Sequence, residues 1–176
     1  MTTNIDRSLT RENKSMPLRL LTCFCVAALF ALPAPAHDGK HASPANSDVS
    51  AAAKPALETV ERFSSALQSG DLAQAGSLLA NEALILESGG AEHSREQYLG
   101  GHAAHDAAFL KTARVRVLRR TARAEGDLAW VGTESEVHTS GDGKAAILLS
   151  SETMVLERAQ PGWRIVHIHW SSRPKR

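Results

Sequence analysis

Beyond its first 36 residues the chain has no cysteine, because Cys23 and Cys25 both fall within the N-terminal stretch. That absence excludes disulfides, thiolate metal sites and a cysteine nucleophile from the remainder, which must be stabilised by its core alone. A comfortable membrane span is missing too: it takes about 20 apolar residues, and the apolar run Leu20–Leu32 falls short. Neither sign of charge dominates. The 176 residues carry 20 basic and 19 acidic side chains, and without the first 36 residues the net charge is about −1. Nothing in this balance asks for nucleic acid or an anionic membrane surface as partner. There is no internal repeat.

What stands at the front reads as a secretory leader. Arg7, Arg11, Lys14 and Arg19 form its basic part, Leu20–Leu32 its apolar part, and Ala34-Pro35-Ala36 a small-x-small cleavage site. Residues 16–36 contain an apolar run and a site of their own, so Met16 is a possible true start. The cysteines lie too early in the run for a lipoprotein signal. The expectation is a signal peptide over 1–36 and a periplasmic or secreted product. Residues 37–54, rich in Ala, Ser, Pro and Asp, read as a disordered tether. Its beginning, His37-Asp38-Gly39-Lys40-His41, is either plain tether or a weak copper or nickel ligand.

The folded domain is expected over 55–173. Leu57, Val60, Phe63 and Leu67 recur at helical spacing after Pro55 until Gly70 stops them. Asp71 then caps a short helix, Leu72–Leu79. Residues 83–87 read as a strand closed by Gly89-Gly90. Ser94 with Gln97 is a capping-box pair opening a third helix to about Leu110, weakened at Gly100-Gly101. Four strands follow, about 113–124, 128–138, 145–157 and 163–171, joined by turns at Glu125-Gly126-Asp127, Gly141-Asp142-Gly143 and Gln160-Pro161-Gly162. Helices first and a meander after them predict an α+β fold.

That order resembles the nuclear transport factor 2-like superfamily, which includes ketosteroid isomerase, scytalone dehydratase, SnoaL-like polyketide cyclases and the association domain of calmodulin-dependent kinase II. Three patterns carry the resemblance: the helix Phe63–Asp71 ending in Gly-Asp, Leu79-Ala80-Asn81-Glu82-Ala83, and Ser151–Val155 together with Gly162–His169. It implies a cone-shaped, strongly bent antiparallel sheet covered by three N-terminal helices, no cofactor, and a homodimer formed through the outer sheet face. At the positions matching cavity arginines of the kinase domain stand Gly132, Met154 and Trp170, so carboxylate recognition of that kind is not implied.

Strand alternation on the faces so oriented places Trp130, Met154, Ile168 and Trp170 around a pocket, with Glu134 and Glu152 as its polar groups; Phe63 and Tyr98 approach from the helices. The alternative is that these side chains merely fill the cone. Glu87 matches the isomerase's carboxylate base, yet Phe63 replaces its tyrosine donor and Thr153-Met154 stand near its second acid, so Glu87 is either a base or an ordinary strand-end carboxylate. Tyr98, His102 and Asp106 form one helical stripe, offering a His102/Asp106 acid–base pair, while His102 and His105 offer two weak metal ligands or capping groups. Trp163, Ile165, His167 and His169 share the opposite face of the last strand and are expected at the dimer interface. Arg114, Arg116 and Arg120 are expected on a solvated outer face, or on a phosphate. The expected function is an exported domain that binds a small hydrophobic or amphipathic molecule. The alternatives are a cofactor-free isomerase, dehydratase or cyclase, and a metal-binding or structural dimer module.

Overall fold

A computed structural model describes residues 46–141 and 144–176. The signal peptide expected over residues 1–36, and residues 37–45 with His37–His41, lie outside the described residues. So does the tip of the turn expected at Asp142-Gly143.

Strand β1 (Asn46–Val49) leads through a single 3-10 turn into helix α1 (Lys54–Ser69), then α2 (Leu72–Leu78). Pro55 is accommodated in the first turn of α1, where its missing N–H is no loss. Gly70 ends that helix in the left-handed region at φ 82°, a conformation that favours glycine. Asp71 caps α2, its side chain accepting the Gln74 N–H at 2.9 Å. Strands β2 (Leu79–Glu87) and β3 (Gly90–Glu92) form a hairpin. Helix α3 (Arg95–Gly100) is capped by Ser94, and Gln97 reaches back to the His93 N–H at 2.7 Å, a variant of the capping box. The expected third helix is two helices, because Gly100-Gly101 breaks it before α4 (Ala103–Thr112). The meander is β4 (Arg114–Glu125), β5 (Leu128–Gly141), β6 (Lys144–Ala159) and β7 (Gly162–Pro174).

All seven strands join one bent, unclosed sheet in the order β1-β4-β5-β6-β7-β2-β3. The meander is antiparallel as expected, but β1 pairs with β4 and β2 with β7 in parallel, so the sheet is mixed. The α+β class and the helices laid over the sheet agree with the sequence reading. Residues 46–54 do not. In place of tether they form an edge strand, the 3-10 turn and the start of α1. Main-chain pairing needs no large side chains, and the segment is further fixed by Arg123, which donates to Asp48 Oδ2 at 2.7 Å, and by Ala53, which is buried. Phe63, Leu67, Ile85, Tyr98, Met154, Leu156, Ile165 and Ile168 form the centre of the core.

Two bulges set which side chains face inward. On β4, Val117 pairs with Ser135 but Arg119 with Glu134, so Leu118 is the extra residue. On β7, Ile165 pairs with Leu156 but His167 with Val155, so Val166 is the extra residue. Each bulge reverses the alternation of everything beyond it.

Candidate functional site

Between the inner sheet face and helices α1 and α4 lies a cavity of about 690 Å³. Phe63 and Leu67 of α1, Phe109 and Leu110 of α4, and Val115, Val117, Val137 and Leu148 of the sheet supply its apolar lining. The sheet adds Arg120, Thr133, Ser135, Ser150, Glu152 and Trp170, and Glu87 and Asp106 come from the end of β2 and from α4.

The ladder explains which expected pocket residues reach it. Directly opposed residues of neighbouring strands share a face, and Val131 opposes Met154 while Thr133 opposes Glu152. The inward residues of β5 are therefore Val131, Thr133 and Ser135, one position away from the expected set. Trp130 points outward and is 42% exposed. Glu134 is also outside, 3.7 Å from Arg119. Met154 and Ile168 do face inward, yet they are sealed in the core and do not line the cavity. Phe63, Glu152 and Trp170 line the cavity. Tyr98 is fully buried behind the wall, its ring centroid 6.1 Å from that of Trp170.

On β7 the bulge corrects the interface reading. Trp163 and Ile165 precede Val166 and are core residues, Trp163 also lying beneath the Arg158 guanidinium at 4.5 Å. His167 and His169 follow it and do face outward; His167 Nδ1 donates to the Leu84 carbonyl at 2.9 Å. The bulge at Leu118 likewise turns Arg120 inward. It is 8% exposed, donates from Nη1 to Glu61 Oε1 at 2.7 Å, and buries its Nε without a partner. Only Arg114 and Arg116 remain on the solvated surface expected for all three, and Arg116 also touches the cavity rim.

Carboxyl groups dominate the electrostatics. Burial holds Glu152 above the usual carboxylate range, although the Trp170 N–H, donating to Oε2 at 2.8 Å, and the Arg120 charge both favour ionisation. Burial, and then repulsion from Asp106, raise Glu87. Asp106 is raised by burial too, against the Tyr98 hydroxyl that donates to its Oδ2 at 2.8 Å. Tyr98 is itself driven upward by burial and by Asp106.

The helix stripe thus pairs differently from the expectation. Eight residues along one straight helix rise about 12 Å, so the Tyr98–Asp106 bond exists only because the chain breaks at Gly100-Gly101. His102, at the break, turns to Glu92 instead and is raised by that hydrogen bond; it is not in the cavity wall and forms no dyad with Asp106. His105 does line the cavity, so the two histidines diverge. Among the described residues no group of three or more His, Cys, Asp or Glu side chains is placed to hold a metal.

Arg120, Glu61, Thr133, Ser135 and Ser150 were missed from sequence. The usable signal was the interrupted alternation at Leu118, which marks a bulge as readily as an apolar intrusion, and the small hydroxyl residues alternating within β5.

Residues 56–174 match the SnoaL-like domain family. Among solved structures, the chain is 32% identical to a candidate ketosteroid isomerase from Shewanella frigidimarina, with a TM-score of 0.64 over 66% of this chain and 94% of that one. A candidate dehydratase of the NTF2-like family from Streptomyces avermitilis is 17% identical, with a TM-score of 0.57 over 68% and 94% of the two chains. The CaMKII hub of S. rosetta is 19% identical, with a TM-score of 0.58 over 70% and 98%. The last two show likeness of fold alone. No curated protein matches the chain.

Proposed function

This chain belongs to the SnoaL-like domain family, and from that premise we propose that it binds a small amphipathic molecule inside its cone. The cavity carries the reading: its volume of about 690 Å³ falls in the range of small-molecule sites, about 300–1,000 Å³, and it joins apolar walls to a few convergent polar groups. Export to the periplasm, supported by the leader, and self-association through the outer sheet face belong to the same proposal. For the latter, Trp130, Val155 and His167 stand in one rung of that face, and structural relatives include proteins named as hub and association domains. Native mass spectrometry of the protein purified from periplasm tests the reading. A reproducible bound organic mass is expected, absent from a Val117→Trp variant whose larger side chain fills the cavity. A clean apo protein, together with no binding from a panel of apolar and amphipathic compounds, would refute it.

One observation favours a second reading, cofactor-free isomerisation or dehydration. Glu87 and Asp106, whose carboxyls burial raises above their ordinary values, line the same cavity, as proton transfer to and from a bound ligand requires. Binding is preferred because the donor such chemistry needs is missing: Phe63 cannot donate, and the Tyr98 hydroxyl is committed to Asp106 behind the wall. If the second reading holds, Glu87→Gln retains the captured molecule and abolishes its conversion.

A further inference from the structure

We infer that the ligand is a ring carrying adjacent hydroxyl groups, an inference that rests on the ligand-binding reading above. Strand register places Ser135 opposite Ser150, and Ser150 opposite Ser172. All three lie on the inner face and line the cavity. Side chains within such a rung stand about 4.5–5.5 Å apart, so the sheet presents a continuous row of three hydroxyls running from the buried Ser135 to the exposed Ser172. The side-chain hydroxyls of all three make no hydrogen bond among the described residues. The next rung inward adds Thr133 and Glu152.

The row has the chemistry of its complement. A serine hydroxyl both donates and accepts, so a partner that does the same can satisfy both functions at once. A row of ligand hydroxyls meets that condition. A carboxylate ligand can only accept, and in the cavity Glu61, Glu87, Asp106 and Glu152 outnumber Arg116 and Arg120. Opposite the row stand the Phe63 and Phe109 side chains, with Trp170 stacked on Phe63 at 6.5 Å between centroids. These rings cover the apolar face of a flat ring whose hydroxyl edge lies on the serines. An apolar ligand of equal size would leave the hydroxyls covered and unpaired, which is the costly state of a polar group.

Titration of the mature protein with 2,3-dihydroxynaphthalene and with its dimethoxy analogue, followed by calorimetry, tests the inference; myo-inositol forms a separate arm for an alicyclic source. The dihydroxy compound, or inositol in its place, is expected to bind at least about tenfold more tightly than the dimethoxy compound, the worth of one or two net hydrogen bonds. In a Ser135→Ala/Ser150→Ala variant that preference is expected to fall to about threefold or less, with the dimethoxy affinity unchanged. Should the double variant fail to fold, Ser172→Ala at the exposed end replaces it, with a partial loss of preference expected. Equal affinity for both naphthalenes, or a preference untouched by the serine variants, overturns the hydroxyl row and leaves the binding cavity standing. Failure of all three probes overturns it as well. If the apolar panel then also fails, the binding reading falls with it.

Discussion

Replacing Ile165 by alanine separates two threadings of β7. On strict alternation Ile165 shares a face with His167 and His169 and would serve an interface. Across the bulge at Val166 it lies in the core with no exposed surface, opposite Leu156. Truncating a buried isoleucine to alanine costs about 2–5 kcal/mol, part from lost transfer free energy and part from the void left behind. Its neighbours Leu156, Trp163 and Ile168 are themselves fully packed, so little collapse into the void is available and about 3 kcal/mol is a conservative figure. Unfolding entropy is about 2.1 cal/mol/K per residue, so the described residues, about 130, carry about 0.27 kcal/mol/K, and the melting temperature should fall by about 11 °C. Thermal melts at two protein concentrations tenfold apart provide the assay, since an interface contribution would vary with concentration and a core contribution would not. His169→Ala, on the outer face, is the matched control and should shift the midpoint by less than about 2 °C. If Ile165→Ala melts within about 2 °C of the parent while weakening self-association, the bulge is misplaced and the interface reading returns.

Glu152→Gln keeps an acceptor for the Trp170 N–H while removing a titration. Because burial raises the folded Glu152 above its unfolded value of 4.5, the stability tied to its proton is complete below that value and is lost as pH rises through the folded one. The variant should therefore gain on the parent as pH rises from 4 to 8 in parallel melts; a constant difference would show that the carboxyl is not buried as described. Tyr98→Phe leaves Asp106 without its donor and should cost about 1–3 kcal/mol in urea unfolding; it should also move the Asp106 titration further up by NMR, and an unchanged titration would refute the Tyr98–Asp106 bond. Asp71→Ala removes the cap of α2 and should cost about 1 kcal/mol, read as a lower urea midpoint at unchanged slope.

Most elements were legible because their signals are local. Gly70 and Asp71 mark a helix end and a new cap, Ser94 and Gln97 mark another, and the turns at 125–127 and 160–162 punctuate the meander. The family resemblance then ordered them. The faces were less legible, and for one physical reason. Side-chain period along a strand is two, so one extra residue reverses every side chain after it. Leu118 and Val166 are such residues, and they account for Arg120 inside, and for Trp163 and Ile165 in the core. Trp130 and Glu134 were misplaced by a related slip, Gly132 having been aligned with Met154 where the ladder sets Val131. Bulges arise from cross-strand geometry, which a single strand's pattern does not contain. The parallel pairing of β1 was equally hidden, since its stability lies in main-chain bonds to β4, where Asn46 meets Arg119, 73 residues downstream. Tyr98–Asp106 was missed in its geometry because a continuous helix forbids it and two glycines permit it.

The polar lining of the cavity argues for use over stability. Glu87, Asp106 and Glu152 are each displaced upward chiefly by burial, which means that folding works against their charged forms at neutral pH. Arg120 Nε lies buried without a partner, and three serine hydroxyls face the same space. An apolar set of side chains of similar volume would fill the cone and hold the sheet more firmly. The exterior of the sheet offers the contrast: Glu136 there is enclosed by Lys175, His138 and Arg116, and these partners hold its carboxyl below the ordinary value. The chain satisfies a buried carboxylate where only structure is at stake. Inside the cone it leaves three of them raised, around a cavity, and opposite aromatic rings. Those are the conditions under which a bound molecule, by supplying the missing hydrogen bonds and displacing solvent from the rings, adds the stability that the empty fold forgoes.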